Sequence, residues 1–258
     1  MAYECLRVRR DGRVGWLDYN RPPVNSFNWE MLREIASALE ELLGDPEVRV
    51  IAMASALERY FSVGADLKLF DGIGQEGMRE WMTLCHGLVG TLRRSPKPLL
   101  AAIQGTAVGA GFELVLHCDV RFAADDARFR QPEVNIGLIP GVGTTQALAR
   151  LLGRPRAIRF LYEGTLVSAE EAKALGLVDI LCPGERLREE VQRYGASLAD
   201  KPARCLSAIR RTITIGGSLP FDEGLKLEFD EEIELAGTED FREGVRAFLE
   251  KRQPRWQG

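Results

Sequence analysis

Two glutamates set among small-residue turns are the part of this chain best suited to chemistry. Gln104-Gly105-Thr106-Ala107-Val108-Gly109-Ala110-Gly111-Phe112 leads into Glu113, and Phe129-Arg130-Gln131-Pro132 leads into Glu133. Glycine and alanine let a ligand come close to main-chain N–H groups, and a helix that starts there leaves its first donors unpaired. Glu113 is followed and preceded by Phe112, Leu114, Val115 and Leu116, where a carboxylate is costly unless it is paired or used. A second loop, Ser62-Val63-Gly64-Ala65-Asp66, also follows a buried strand and can supply another donor. Two acids beside two converging N–H groups suit proton transfer next to a polarised carbonyl. Each feature alone also fits a bland explanation: a tight strand-to-helix crossing, a solvated loop acid, or a salt-bridged glutamate.

Other chemistries lack their residues. The chain has only two histidines, His86 and His117, with no Gly-x-Ser-x-Gly turn and no His-x-x-x-His pair. Neither a Walker phosphate loop nor a dinucleotide-binding glycine fingerprint is present. The five cysteines, Cys5, Cys85, Cys118, Cys182 and Cys205, never approach Cys-x-x-Cys spacing, so they are expected to be reduced packing residues and no metal site is expected. A net charge of −4 gives no reason to expect nucleic acid. No apolar run reaches membrane-spanning length, and the amino-terminal residues lack a signal-peptide pattern, so a cytoplasmic protein with no membrane partner is expected.

The elements that must carry these residues read as α/β. Residues 4–10 and 13–19 alternate around Asp11-Gly12 as a hairpin. Asn28 is placed to cap a helix reaching about Leu43, with Met31, Leu32, Ile35, Leu39, Leu42 and Leu43 on one stripe. Buried strands are expected at 48–54 and 98–103, a helix at 77–93, a short helix at 111–116, and strands near 120–123 and 128–129. After Gly105 the chain reads as turn-rich. Ser168-Ala169-Glu170-Glu171 is a capping-box start for a helix ending at Gly176. A strand at 178–181 follows, then helices near 185–199, 202–215, 220–236 and 239–251, whose apolar faces need a partner surface.

Taken together the motifs resemble the enoyl-CoA hydratase/isomerase (crotonase) superfamily. The resemblance runs through Phe61–Lys68, Ala102–Glu113, Cys118-Asp119, Phe129–Glu133, Gly137–Gln146, Ser168–Ala172, Gly176–Val178 and Phe241–Lys251, in order and over nearly the whole chain. It implies a spiral of repeated ββα turns over residues 1–195 and a helical trimerisation segment over 196–258, assembled as a trimer or a dimer of trimers. It implies an acyl-CoA thioester ligand, coenzyme A entering only as part of the substrate. Glu113 and Glu133 would flank the reacting double bond. The N–H groups of Val63 and Ala110 would hold the thioester oxygen, although Ala110 stands where glycine is common and Val63 where alanine is frequent. Ser62, Val63, Gly64, Ala65, Asp66 and Leu67 would lie along the coenzyme A moiety. Phe248 and Lys251 would reach the adenine and 3′-phosphate of a neighbouring subunit. The activity implied is enoyl-CoA hydration. The same fold also hosts double-bond isomerases, hydratases of branched or cyclic acyl-CoA, and non-catalytic or RNA-binding members. The acyl-pocket floor is expected from residues near 69–82 and 136–142.

Overall fold

The structure, a computed structural model, describes residues 3–257. Strand β1 (Leu6–Asp11) pairs antiparallel with β2 (Val14–Tyr19) across a two-residue turn, and Gly12 takes its first central position at φ +57°. Asn28 then accepts the Met31 N–H at 2.9 Å and starts α1 (Trp29–Gly44), whose buried stripe is Met31, Leu32, Ile35, Ala38, Leu39 and Leu42.

Three successive strand pairs follow. They are β3 (Val50–Ser55) with β4 (Tyr60–Ser62), β5 (Leu99–Ile103) with β6 (Thr106–Val108), and β7 (Val120–Ala124) with β8 (Arg128–Arg130). Helix α2 (Gly74–Arg94) follows the first pair and α3 (Ala110–Val115) the second. In each pair the first strand joins a six-stranded sheet and the second a four-stranded one. The chain therefore spirals, giving one strand to each sheet per turn, as the ββα expectation required. The helices α4 (Thr144–Leu152) and α5 (Arg154–Glu163) lead to β9 (Val167–Ser168), which closes the small sheet antiparallel to β8. Helix α6 (Ala169–Leu175) has the full capping box between Ser168 and Glu171, and β10 (Ile180–Cys182) ends the large sheet, order β1-β2-β3-β5-β7-β10.

Period-two alternation explains why these strands look apolar throughout. Tyr19, Ile51, Met53, Leu99, Ala101 and Ile103 face one core, which includes the α1 stripe. Trp16, Val50, Ala52, Leu100, Ala102 and Phe122 face a second core, closed by Leu187, Val191 and Ala199. A parallel sheet covered on both faces has no polar side to show.

Two expectations are corrected here. The turn-rich stretch after Gly105 contains a real strand, β6, which is recognisable only by its pairing with β4 and β8. The division after residue 195 falls inside α7 (Leu187–Ala199). At Gly195 an added Cβ would lie 2.9 Å from Val14 Cγ2, so α7 lies tightly on the sheet over its whole length and belongs with the core. The chain leaves that core only beyond Ala199. The last segment comprises α8 (Ala203–Thr214), α9 (Phe221–Ala236) and α10 (Glu239–Leu249). Arg210 ties α8 down: its Nε donates to Asp119 at 2.8 Å and its Nη atoms to the Leu92, Arg93 and Ser95 carbonyls at the end of α2. Such a planar five-donor group suits a cluster of carbonyls at a helix C-terminus.

Candidate active site

The loop after β4, the start of α3, the turn at Glu133–Ile136 and the residues before α4 converge on one cavity of about 770 Å³. Val63, Gly64, Ala65, Leu67, Ala110, Glu113 and Glu133 all line it. Phe70, Met78, Trp81 and Met82 form one apolar wall, and Ile136, Leu138, Ile139, Pro140 and Val142 form another, close to the expected floor.

Close packing brings the two glutamates there. Gly109 has φ +50° and ψ −134°, and an added Cβ would lie 2.7 Å from Glu133 Oε1. Gly111 comes so near β4 that a Cβ would lie 2.3 Å from Ser62 Cβ. These glycines let α3 nestle between the Ser62 loop and Glu133, and Glu113 is carried in with it.

Glu113 is buried, 3% exposed, and its Oε2 accepts the Val142 N–H at 2.8 Å and the Thr144 hydroxyl at 2.6 Å. Thr144 opens α4, so the partial positive charge of that helix start also faces the carboxylate. Burial outweighs these donors and pushes the Glu113 carboxyl up to about 8, with the nearby Glu133 charge raising it further. Among the described residues Glu113 Oε1 accepts no hydrogen bond, which leaves it for a ligand or water in the cavity. Glu133 is also raised, by burial, against the lowering effect of its own backbone N–H and of Arg130. Its Oε2 is buried and has no partner among the described residues. Burial thus holds both carboxyls above the ordinary carboxylate range, and the Glu133 charge adds to the rise at Glu113.

The backbone donors differ from expectation at one position. The Val63 N–H donates to the Val24 carbonyl at 3.2 Å and is spent inside the protein, so Val63 does not supply the expected donor. Two residues on, Ala65 forms an isolated parallel bridge with Phe27. In that bridge Gly64 O accepts the Phe27 N–H at 2.7 Å and the Asp66 N–H donates to Phe27 O at 2.8 Å. The Ala65 N–H therefore points the other way, toward the cavity. An added Cβ on Gly64 would lie 3.3 Å from Ala110 N, so the two loops meet there. Among the described residues neither the Ala65 nor the Ala110 N–H has a protein acceptor.

Other candidates separate clearly. Ser62 is fully buried; its hydroxyl donates to Asn25 O at 2.6 Å and accepts the Gly64 N–H at 3.1 Å, so it shapes the loop and cannot touch a ligand. Asp66 pairs with Arg21 at 3.5 Å and caps the turn Leu67–Leu69, away from the cavity lining. Phe248 and Lys251 lie at the exposed end of α10 and do not line this cavity. Other residues take roles that sequence reasoning did not assign: Thr144 and Val142 donate to Glu113, and His86 and His117, noted only as the two histidines, have Nε2 atoms 2.9 Å from the Gly141 and Val142 carbonyls. A hydroxyl at the first position of a helix after two glycines was the available signal for Thr144. Among the described residues no group of three or more His, Cys, Asp or Glu side chains is arranged to hold a metal ion, and no helix is long and apolar enough to cross a membrane.

A ββα spiral with two acids and paired backbone donors in one cavity defines a known class. Residues 9–258 match the family described as Enoyl-CoA hydratase/isomerase, and the chain belongs to that family. A crotonyl-CoA hydratase of Syntrophomonas wolfei subsp. wolfei is 33% identical over 254 residues, covering 98% of each chain. A solved enoyl-CoA hydratase from Bacillus anthracis has a TM-score of 0.94 at 32% identity, covering 99% of this chain and 100% of that one. Another, from Mycobacterium smegmatis, has a TM-score of 0.92 at 30% identity, covering 98% and 99%.

Proposed function

We propose that the chain is an enoyl-CoA hydratase, adding water across the 2,3 double bond of a 2-enoyl-CoA thioester. The observation that carries this reading is the presence of Glu113 and Glu133 in the same cavity as the Ala65 and Ala110 N–H groups. In this reading the thioester oxygen accepts from both N–H groups. A preset donor of this kind lowers the barrier by roughly 3–4 kcal/mol, because charge grows on that oxygen as the enolate forms.

Glu113, held through Oε2, keeps Oε1 for a water molecule. It accepts one proton from that water as the oxygen attacks C3, and the C2–C3 π pair moves into the thioester as an enolate. Glu133, whose unpartnered Oε2 is best satisfied as a hydroxyl, gives its proton to C2. A proton passed from Glu113 back to Glu133 restores the starting state. Water is consumed, one C–O and one C–H bond form, and no redox change occurs. Backbone dipoles meet the developing charge, so the scheme assigns no role to a resident cofactor.

Gly64, Ala65 and Leu67 are then the part of the loop that borders the coenzyme A arm. Self-association belongs to the same proposal. Helix α9 exposes Phe221, Leu225, Phe229 and Ile233 at four-residue spacing, a continuous apolar stripe of the kind that marks an interface. In a trimer or dimer of trimers Phe248 and Lys251 would approach a neighbour's ligand. The deciding experiment is the loss of conjugated enoyl-thioester absorbance with crotonyl-CoA, with product analysis. Appearance of 3-hydroxybutyryl-CoA supports hydration, whereas a shifted double bond with no hydroxylated product would make the protein an isomerase.

A further inference from the structure

We infer that His86 is a positioning residue that sets the titration of Glu113 through the Gly141–Val142 peptide, with His117 clamping the same loop from the other side.

The geometry is a relay through one amide. His86 Nε2 lies 2.9 Å from Gly141 O, and a carbonyl only accepts, so the ring donates. The N–H of that same peptide is Val142 N–H, which donates to Glu113 Oε2 at 2.8 Å. A donor on the carbonyl end of an amide polarises it and strengthens the bond its N–H makes. One residue on, His117 Nε2 lies 2.9 Å from Val142 O, so both carbonyls flanking the critical N–H are held by imidazoles. The loop is shaped for this approach. A Cβ on Gly143 would lie 2.9 Å from His117 Nε2, and one on Gly141 would lie 2.8 Å from Met82 Sδ, one turn before His86 on α2. Burial keeps His117 below the ordinary histidine range, helped by Arg93 and Arg121, so it donates as a neutral ring. Besides His86, the ionisable groups that face Glu113 or share its cavity include Glu133 on its turn, Arg130 at the end of β8 and Cys85 on α2. Cys85 is a buried thiol pushed up to about 12 and so uncharged.

Only the catalytic meaning of Glu113 rests on the hydratase reading; the relay itself does not. The test is therefore made on substrate-free protein. The infrared C=O stretch of protonated Glu113, isolated by subtracting the Glu113→Gln spectrum, is followed against pH in the unaltered protein, His86→Leu and His86→Gln. Loss of the donor in His86→Leu should move the Glu113 midpoint upward by roughly half a pH unit, the size that cooperative strengthening of one charge-assisted bond allows. His86→Gln, whose amide N–H can take the place of Nε2–H, should restore it. A Leu variant titrating like the unaltered protein, or a Gln variant shifted as far as Leu, overturns the relay. If His86→Leu does not fold, His86→Asn, polar but too short to reach Gly141, takes its place with the same expected shift. A shift without crotonyl-CoA hydration would leave the relay standing and remove the hydratase reading; hydration without a shift would do the reverse.

Discussion

Replacing Thr144 with valine keeps the shape of a fully buried side chain and deletes one donor, the hydroxyl 2.6 Å from Glu113 Oε2. A hydrogen bond to a charged group contributes about 1.5–3 kcal/mol. At about 1.4 kcal/mol per pH unit, its loss raises the carboxyl by roughly 1–2 units. Glu113 already titrates at about 8 because burial outweighs its donors, so the variant should titrate well above that. In the proposed reaction the carboxylate is the form that accepts the proton from water. At neutral pH the rate should therefore fall by roughly 10- to 100-fold, and the rising limb of the kcat/KM profile should move to alkaline pH by the same 1–2 units. The assay is crotonyl-CoA absorbance across a pH series, with thermal unfolding as a check that the fold is kept. A profile that stays in place would mean the Thr144 hydroxyl does not set this group, and the role given to Glu113 Oε2 would be wrong.

Further expectations follow from the same contacts. Proline is accepted at the first position of a helix and has no N–H, so Ala110→Pro should spare α3 yet lower crotonyl-CoA turnover by roughly 100- to 1000-fold; ordinary turnover would remove Ala110 from the oxygen-binding pair. Gly111→Ala puts a Cβ 2.3 Å from Ser62 Cβ inside a packed crossing, and overpacking of that kind costs roughly 1–3 kcal/mol, readable as a lowered unfolding temperature. Glu113 is held protonated in the folded state to about pH 8 but ionises near its ordinary value when unfolded. The folded state thus binds more protons in that window, and stability falls as pH rises through it. Glu113→Gln should flatten the fall and leave the variant the more stable protein at pH 8 in chemical denaturation, while its hydration activity is lost.

Local signals carried much of this architecture into the sequence, and long-range pairings carried the rest. The Asn28 cap, the Ser168–Glu171 box and the helices of the last segment are decided within a few residues, and the structure keeps them, while the hairpin expected to turn at Asp11-Gly12 turns one residue later, at Gly12-Arg13. Strand β6 has three residues and exists because β4 and β8 flank it. The donor in the loop after β4 depended on the Phe27–Ala65 bridge, which turns Ala65 rather than Val63 toward the cavity. Ser62 looks exposed in a list of small polar residues, but Gly111 and Asn25 enclose it. Glu113 could be picked out because an acid in an apolar helix is costly. Its partners Val142 and Thr144 lie about thirty residues away in sequence, beyond any local pattern.

The central claim, that Glu113 and Glu133 act together on a water beside a backbone-held thioester, is met most directly by initial rates on crotonyl-CoA for the unaltered protein, Glu113→Gln and Glu133→Gln. Steady conversion to the 3-hydroxyacyl product is expected, with each substitution lowering kcat by roughly 10²- to 10⁴-fold while the fold is retained. Either variant hydrating crotonyl-CoA at the unaltered rate would contradict the account.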